Sequence, residues 1–111
     1  MPHIVIEYTP NIDLDVPALM RAAHDNFAAQ DTVKLPALKT RAIKLEDAII
    51  GDGQAGGRMI HIMIIMLPGR ADDLRTKMAA DLQALARKHA PDDDISITAE
   101  TIELHAPSYA K

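Results

Sequence analysis

The chain of 111 residues is predicted to be α+β, with two β-α-β units in tandem, one four-stranded sheet, and both helices on the same face of it. Three observations lead there. First, the chain repeats itself once: Met1-Pro2-His3-Ile4-Val5-Ile6-Glu7-Tyr8-Thr9-Pro10 aligns with Met59-Ile60-His61-Ile62-Met63-Ile64-Ile65-Met66-Leu67-Pro68. The x-His-Ile-x-Ile core and the closing proline recur at one constant offset. Second, each run is followed by a helical pattern and then a second extended stretch. Third, the run Met59 to Leu67 is apolar on both faces, and a strand of that kind is normally covered on both sides. Two helices cover only one face, so a further subunit is expected on the other.

Each element has its own warrant. The run His3-Ile4-Val5-Ile6 reads as a strand. The first helix is expected to start near Asp15, a good cap, with Pro17 in the first turn where its missing N–H is harmless. Val16, Leu19, Met20, Ala23 and Phe27 follow helical spacing and form one apolar stripe. Leu38 to Ile50 reads as extended, anchored by Leu38, Ile43, Leu45 and Ile49. Gly51 to Gly57 is a flexible loop and the seam between halves of about 1–50 and 58–105 in a single domain, 1–111. The second helix is expected from about Asp72 to His89, with Asp72 and Asp73 at its positive end and Arg87, Lys88 and His89 at its negative end. Leu74, Met78, Leu82, Leu85 and Ala86 line its buried stripe, and Pro91 stops it. Ile95, Ile97 and Ala99 then alternate with polar residues in a last strand reaching about Leu104. The tail Ala106 to Lys111 is expected as short strand or coil.

Composition narrows the function. The net charge is −4 with no basic block, which argues against nucleic acid. Phe27, Tyr8 and Tyr109 are the only aromatic residues, too few to stack single-stranded bases. The absence of cysteine removes disulfides and thiolate chemistry. No signal peptide and no membrane-spanning run is visible, so a soluble cytoplasmic protein is expected, with no membrane partner. Gly51 to Gly57 lacks a lysine at phosphate-loop spacing. His3, His61 and His105 could meet on adjoining strands, but no pattern of carboxylates that would orient metal-binding histidines accompanies them, so no metal and no cofactor is expected. Glu46-Asp47 and Asp92-Asp93-Asp94 read as solvated turn charges.

The candidate chemistry starts at Pro2. Initiator methionine is normally removed before a small residue, which would leave Pro2 as the N-terminus with a secondary amine. Termini usually fray, but this one heads an apolar strand and would be held in place. In an apolar site such an amine can act as a base near neutral pH. Arg41, in the extended stretch after the first helix, and Arg70, just past the third strand, could grip a carboxylate in bidentate fashion. A nearby cation also disfavours protonation of the amine. A base beside two arginines suits proton abstraction next to a carbonyl of an acidic substrate, with the arginines stabilising the enolate. The residues allow the plainer alternative that Pro2 is a tolerated start residue and both arginines are surface charges.

The start Met1-Pro2-His3 with Glu7, then Asp52-Gly53-Gln54, His61-Ile62-Met63 leading to Gly69-Arg70, and Ile102-Glu103-Leu104-His105 together resemble the tautomerase superfamily. Within it, they resemble the 5-carboxymethyl-2-hydroxymuconate delta-isomerase family. The resemblance runs over nearly the whole chain in order. It implies the tautomerase fold, a homotrimer with sheets facing inward, inter-subunit sites and a cofactor-independent isomerase acting on an unsaturated 2-hydroxy or 2-keto carboxylic acid in aromatic compound catabolism. It implies Pro2 as general acid/base, Arg70 as a carboxylate ligand and Arg41 as a residue that binds substrate or polarises its carbonyl across a subunit boundary. Lys39 stands where the family has a second arginine, keeping the charge and losing the fork. Other readings of the same chain are a non-catalytic trimeric binding or assembly protein, a dehalogenase- or decarboxylase-like reaction using Pro2, and a ferredoxin-like regulatory domain that dimerises through its sheet.

Overall fold

Two strands, β1 (His3–Tyr8) and β3 (Met59–Met66), run antiparallel through the middle of one sheet, with β2 (Lys39–Lys44) parallel to β1 and β4 (Ser96–Glu103) parallel to β3 on the two edges. Helix α1 (Val16–Ala28) connects β1 to β2, and α2 (Asp72–His89) connects β3 to β4. The computed structural model describes residues 2–54 and 56–111. The removal of Met1 expected from the sequence lies outside the described residues, as does Ala55 in the seam loop.

The internal repeat is visible in the register. The offset that carries His3 onto His61 also carries Val5 onto Met63 and Glu7 onto Ile65. The central ladder pairs His3 with Ile65, Val5 with Met63 and Glu7 with His61. The two halves therefore face each other across an approximate two-fold axis at the Val5–Met63 pair.

Alternation on the strands separates two environments. Ile4, Ile6, Ile60, Ile62 and Ile64 are fully buried on the helix face. They pack under Leu19, Ala23 and Phe27 of α1 and Met78, Leu82 and Ala86 of α2. Each such side chain contributes about 1.5–3 kcal/mol on burial. The expected stripes are thus the observed ones, although Val16, Met20, Leu74 and Leu85 are only partly covered. Asp15 caps α1, its Oδ1 accepting the Ala18 N–H at 3.0 Å, and Pro17 lies in the first turn. The opposite sheet face carries His3, Val5, His61, Met63 and Ile65; neither helix packs on it, although Val5 is only 3% exposed and Tyr109 of the tail meets His3.

Three expectations change. The extended stretch predicted to reach Ile50 ends as a strand at Lys44. Its last link is the Leu45 N–H to the Tyr8 carbonyl at 2.8 Å, because β1 stops there and Pro10 has no N–H to continue the ladder. Ile49 is consequently 86% exposed and anchors nothing, and Ile43, on the uncovered face of an edge strand, is 44% exposed. The tail forms a 3-10 turn over Ala106–Ser108. Finally, Asp92 and Asp94 are not simply solvated: both accept hydrogen bonds from Arg58, at 2.7 Å for Asp92, and tie the loop before β4 to the start of β3.

Candidate active site

Pro2 is buried at the head of β1. Its carbonyl accepts the Lys39 N–H at 3.1 Å, which extends the β1–β2 ladder back onto it. The antiparallel register that pairs His3 with Ile65 brings the end of β3 alongside. Just past that end, Pro68 stops the strand, and Gly69 turns the chain at φ 122°, a conformation other residues rarely adopt. Arg70 follows. The parallel return of the chain into β2 brings the preceding loop, Thr32 to Ala37, to the same end of the sheet.

These segments enclose a cleft of about 310 Å³ lined by Pro2, Thr32, Lys34, Ala37, Leu67, Arg70 and Lys111. Pro2, Ala37 and Leu67 supply apolar wall. Arg70 is fastened to the loop: its Nε donates to Thr32 Oγ1 at 3.2 Å and its Nη2 to the Thr32 carbonyl at 3.1 Å. Its Nη1 takes part in neither bond. A guanidinium held along one edge keeps its remaining donors in a fixed direction, which suits a planar carboxylate.

The four residues singled out from sequence therefore divide. Pro2 and Arg70 share the cleft. Arg41 and Lys39 do not line it within one chain. Lys39 Nζ donates to the Ala37 carbonyl at 3.0 Å, behind the cleft wall. Arg41 lies opposite Val5 on the uncovered sheet face and donates from Nη1 to His3 Nδ1 at 3.2 Å. That bond fixes the neutral tautomer of His3, so Nε2 carries the hydrogen and donates to the Tyr109 hydroxyl at 2.8 Å. Partial burial, then the Arg41 and Lys39 charges, lower the pKa of His3 below the ordinary histidine value.

The three histidines do not converge. His61 bonds Thr98 Oγ1 and Glu100 Oε2, each at 2.6 Å, and His105 bonds Ser108 Oγ at 2.7 Å. His3 and His61 stand at opposite ends of the β1–β3 ladder. Among the described residues no group of three or more His, Cys, Asp or Glu side chains is placed to hold a metal ion.

Thr32, Lys34 and Lys111 escaped sequence reasoning. No motif marks them. The usable signal was topological: in a parallel β-α-β unit the residues just ahead of the second strand arrive beside the start of the first.

Comparisons with known proteins agree with this fold. A family model described as 5-carboxymethyl-2-hydroxymuconate isomerase matches residues 2–105. A solved structure of a 5-carboxymethyl-2-hydroxymuconate isomerase from Deinococcus radiodurans R1 superposes with a TM-score of 0.89 at 20% identity, covering 99% of this chain and 87% of that one. A 5-carboxymethyl-2-hydroxymuconate delta-isomerase gives 0.86 at 21% identity, covering 100% and 87%. A fused 4-OT wild type symmetric trimer gives 0.77 at 19% identity, covering 92% and 86%. Comparison with curated protein sequences finds no match.

Proposed function

The chain belongs to the 5-carboxymethyl-2-hydroxymuconate isomerase family, and from that premise we propose that it shifts a proton on an unsaturated 2-hydroxy or 2-keto acid with Pro2 as the base. The observation that carries this reading is the shared cleft of Pro2 and Arg70. Once Met1 is removed, the Pro2 nitrogen is a secondary amine in a cleft that Arg70 also lines. Arg70 binds a substrate carboxylate and draws electron density toward it. The amine takes a proton from the substrate, a dienolate forms, and the proton returns two carbons away. The double bond moves, no electrons enter or leave, and no cofactor is needed. The fixed guanidinium serves the anion without reorganising as charge develops.

The uncovered sheet face supports a homotrimer with sheets turned inward. Val5, Met63 and Ile65 give that face an apolar centre, and the fused 4-OT relative is a symmetric trimer. In such an assembly Arg41 of one protomer, and Lys39 beside it, would complete the cleft of a neighbour, which accounts for their position outside the cleft of their own chain. A cytoplasmic location fits this role. No helix among the described residues is long and apolar enough to cross a membrane.

The test is turnover of a 2-hydroxymuconate-type dienol by a Pro2→Ala variant. A loss of at least about a hundredfold in kcat is expected from removing a positioned general base. Unchanged turnover would remove Pro2 from the mechanism.

A further inference from the structure

We infer that Tyr109 is a positioning residue for the proposed reaction: through the ring of His3 it aims Arg41, the arginine that serves a neighbouring cleft. The inference rests on that reading of Arg41. Arg21, Lys44, Arg58, Arg75 and Lys77 each meet a carboxylate, but Arg41 has no ion pair among the described residues. Its partner is another basic group, His3 Nδ1, at 3.2 Å. An imidazole accepts from a guanidinium only while it is neutral, and only at the nitrogen that bears no hydrogen. An untethered ring exchanges its two tautomers and turns about its side-chain bonds, so alone it is a poor fixed acceptor. Tyr109 supplies the constraint. Its hydroxyl lies 2.8 Å from His3 Nε2 and accepts the hydrogen there, which leaves Nδ1 to Arg41. Its ring meets the imidazole edge-on, with centroids 6.1 Å apart at 86°.

The surroundings of His3 favour this state. Arg41 and Lys39 approach from β2, Tyr109 from the tail, and Ile65 stands opposite on β3. Two cations and no carboxylate leave the ring neutral, in the form that accepts from Arg41. The guanidinium is held by one nitrogen, and its Nε and Nη2 make no hydrogen bond among the described residues. Those donors remain for a ligand, on a side chain whose freedom the His3 contact has reduced. The tail is shaped to deliver Tyr109. After β4 the chain turns over Ala106–Ser108, where the Ser108 N–H donates to the His105 carbonyl at 3.2 Å and the Tyr109 N–H to the Ala106 carbonyl at 3.3 Å. The His105 ring bonds Ser108 Oγ at 2.7 Å and braces the same turn. Two residues past Tyr109, Lys111 lines the Pro2 cleft.

The experiment is a double-mutant cycle on kcat/KM for a 2-hydroxymuconate-type dienol, with Tyr109→Phe, Arg41→Ala and the pair. Tyr109→Phe keeps the ring contact and removes only the hydroxyl. It is expected to lower kcat/KM by about three- to tenfold, the loss of one hydrogen bond. On the Arg41→Ala background the same change is expected to cost less than about twofold, because the group it aims is gone. An equal fall on both backgrounds, as a tail that merely braces the fold would give, overturns the relay and leaves Arg41 in the site. No fall on the parent background also overturns it. If Arg41→Ala turns over normally, the cross-subunit reading of Arg41 fails and the relay with it. If Pro2→Ala turns over normally, the base reading fails, while the cycle still decides the relay. A ¹⁵N spectrum of the His3 ring provides a check that needs no turnover. Hydrogen on Nε2 with Nδ1 bare is expected in the parent, and hydrogen on Nδ1 overturns the relay.

Discussion

Arg70 illustrates how much of the candidate site depends on single side chains. Its guanidinium is aimed by Thr32 and delivered by Gly69, two residues with no chemistry of their own. Arg70→Ala should lower kcat/KM by about 10–150-fold, the worth of a charged hydrogen bond of roughly 1.5–3 kcal/mol. Arg70→Lys should recover little, because an ammonium cannot use both Thr32 acceptors and still present a fork. Steady-state kinetics of the two variants check this, and full recovery by lysine would show that only charge matters. His3 makes a different prediction. Its folded pKa lies below the ordinary value of 6.5. In the window between the two, the unfolded chain binds more protons, so the stabilising contribution is complete above about 6.5 and is lost as pH falls through that window. Urea unfolding between pH 8 and pH 5 should show a shallower decline for His3→Gln than for the parent. Identical slopes would mean that the Arg41–His3–Tyr109 contacts carry no proton linkage. From sequence alone, Pro2 and Arg70 stood out because each is chemically distinctive and sits at a strand end. Thr32 and Lys34 did not, because loop threonines and lysines are commonplace until a fold brings them to a proline.

Elements were more legible than sites. The bounds of α2 and its charged ends follow from Asp72-Asp73 and Arg87-Lys88-His89, and the structure places the helix at Asp72–His89. The cap at Asp15 was equally readable, since a short acceptor before Val16-Pro17 has few other uses. Asp15→Ala should lower stability by about 1 kcal/mol, seen as a lower urea midpoint at unchanged m-value. What misled was Ala48-Ile49-Ile50, whose apolar character suggested a longer second strand. Pairing needs a partner, and β1 ends at Tyr8. The short strand is therefore decided by β1, which the local composition of residues 45–50 does not register. Gly69 is the hinge between element and site. At φ 122° with open space around it, a Cβ meets no atom within 4 Å, so the penalty is conformational alone. Gly69→Ala should destabilise by of order 1–3 kcal/mol and lower kcat/KM together, because the strained turn carries Arg70 with it. A destabilised variant with unaltered kinetics would detach the turn from the site.

At the scale of the whole molecule, the duplicated unit explains both the sheet and its unfinished state. The two halves meet about the Val5–Met63 pair and bury their isoleucines under the two helices, but the same pairing leaves a second face on which neither helix packs. The repeat and the two-sided apolar run made that face predictable from sequence. The cross-subunit role assigned to Arg41 came from family resemblance, and in one chain the arginine lies against His3 instead. Met63→Lys sets a charge at the centre of the uncovered face. Native mass spectrometry is expected to find trimers for the parent and monomers for this variant, and an intact variant trimer would move the interface elsewhere. The central claim is that a free Pro2 nitrogen is the base. Its most direct measurement is a pH titration of the Pro2 ¹⁵N resonance set beside the pH profile of kcat/KM. The account predicts one midpoint shared by both curves, and a resonance that stays constant across pH, as an amide would, contradicts it.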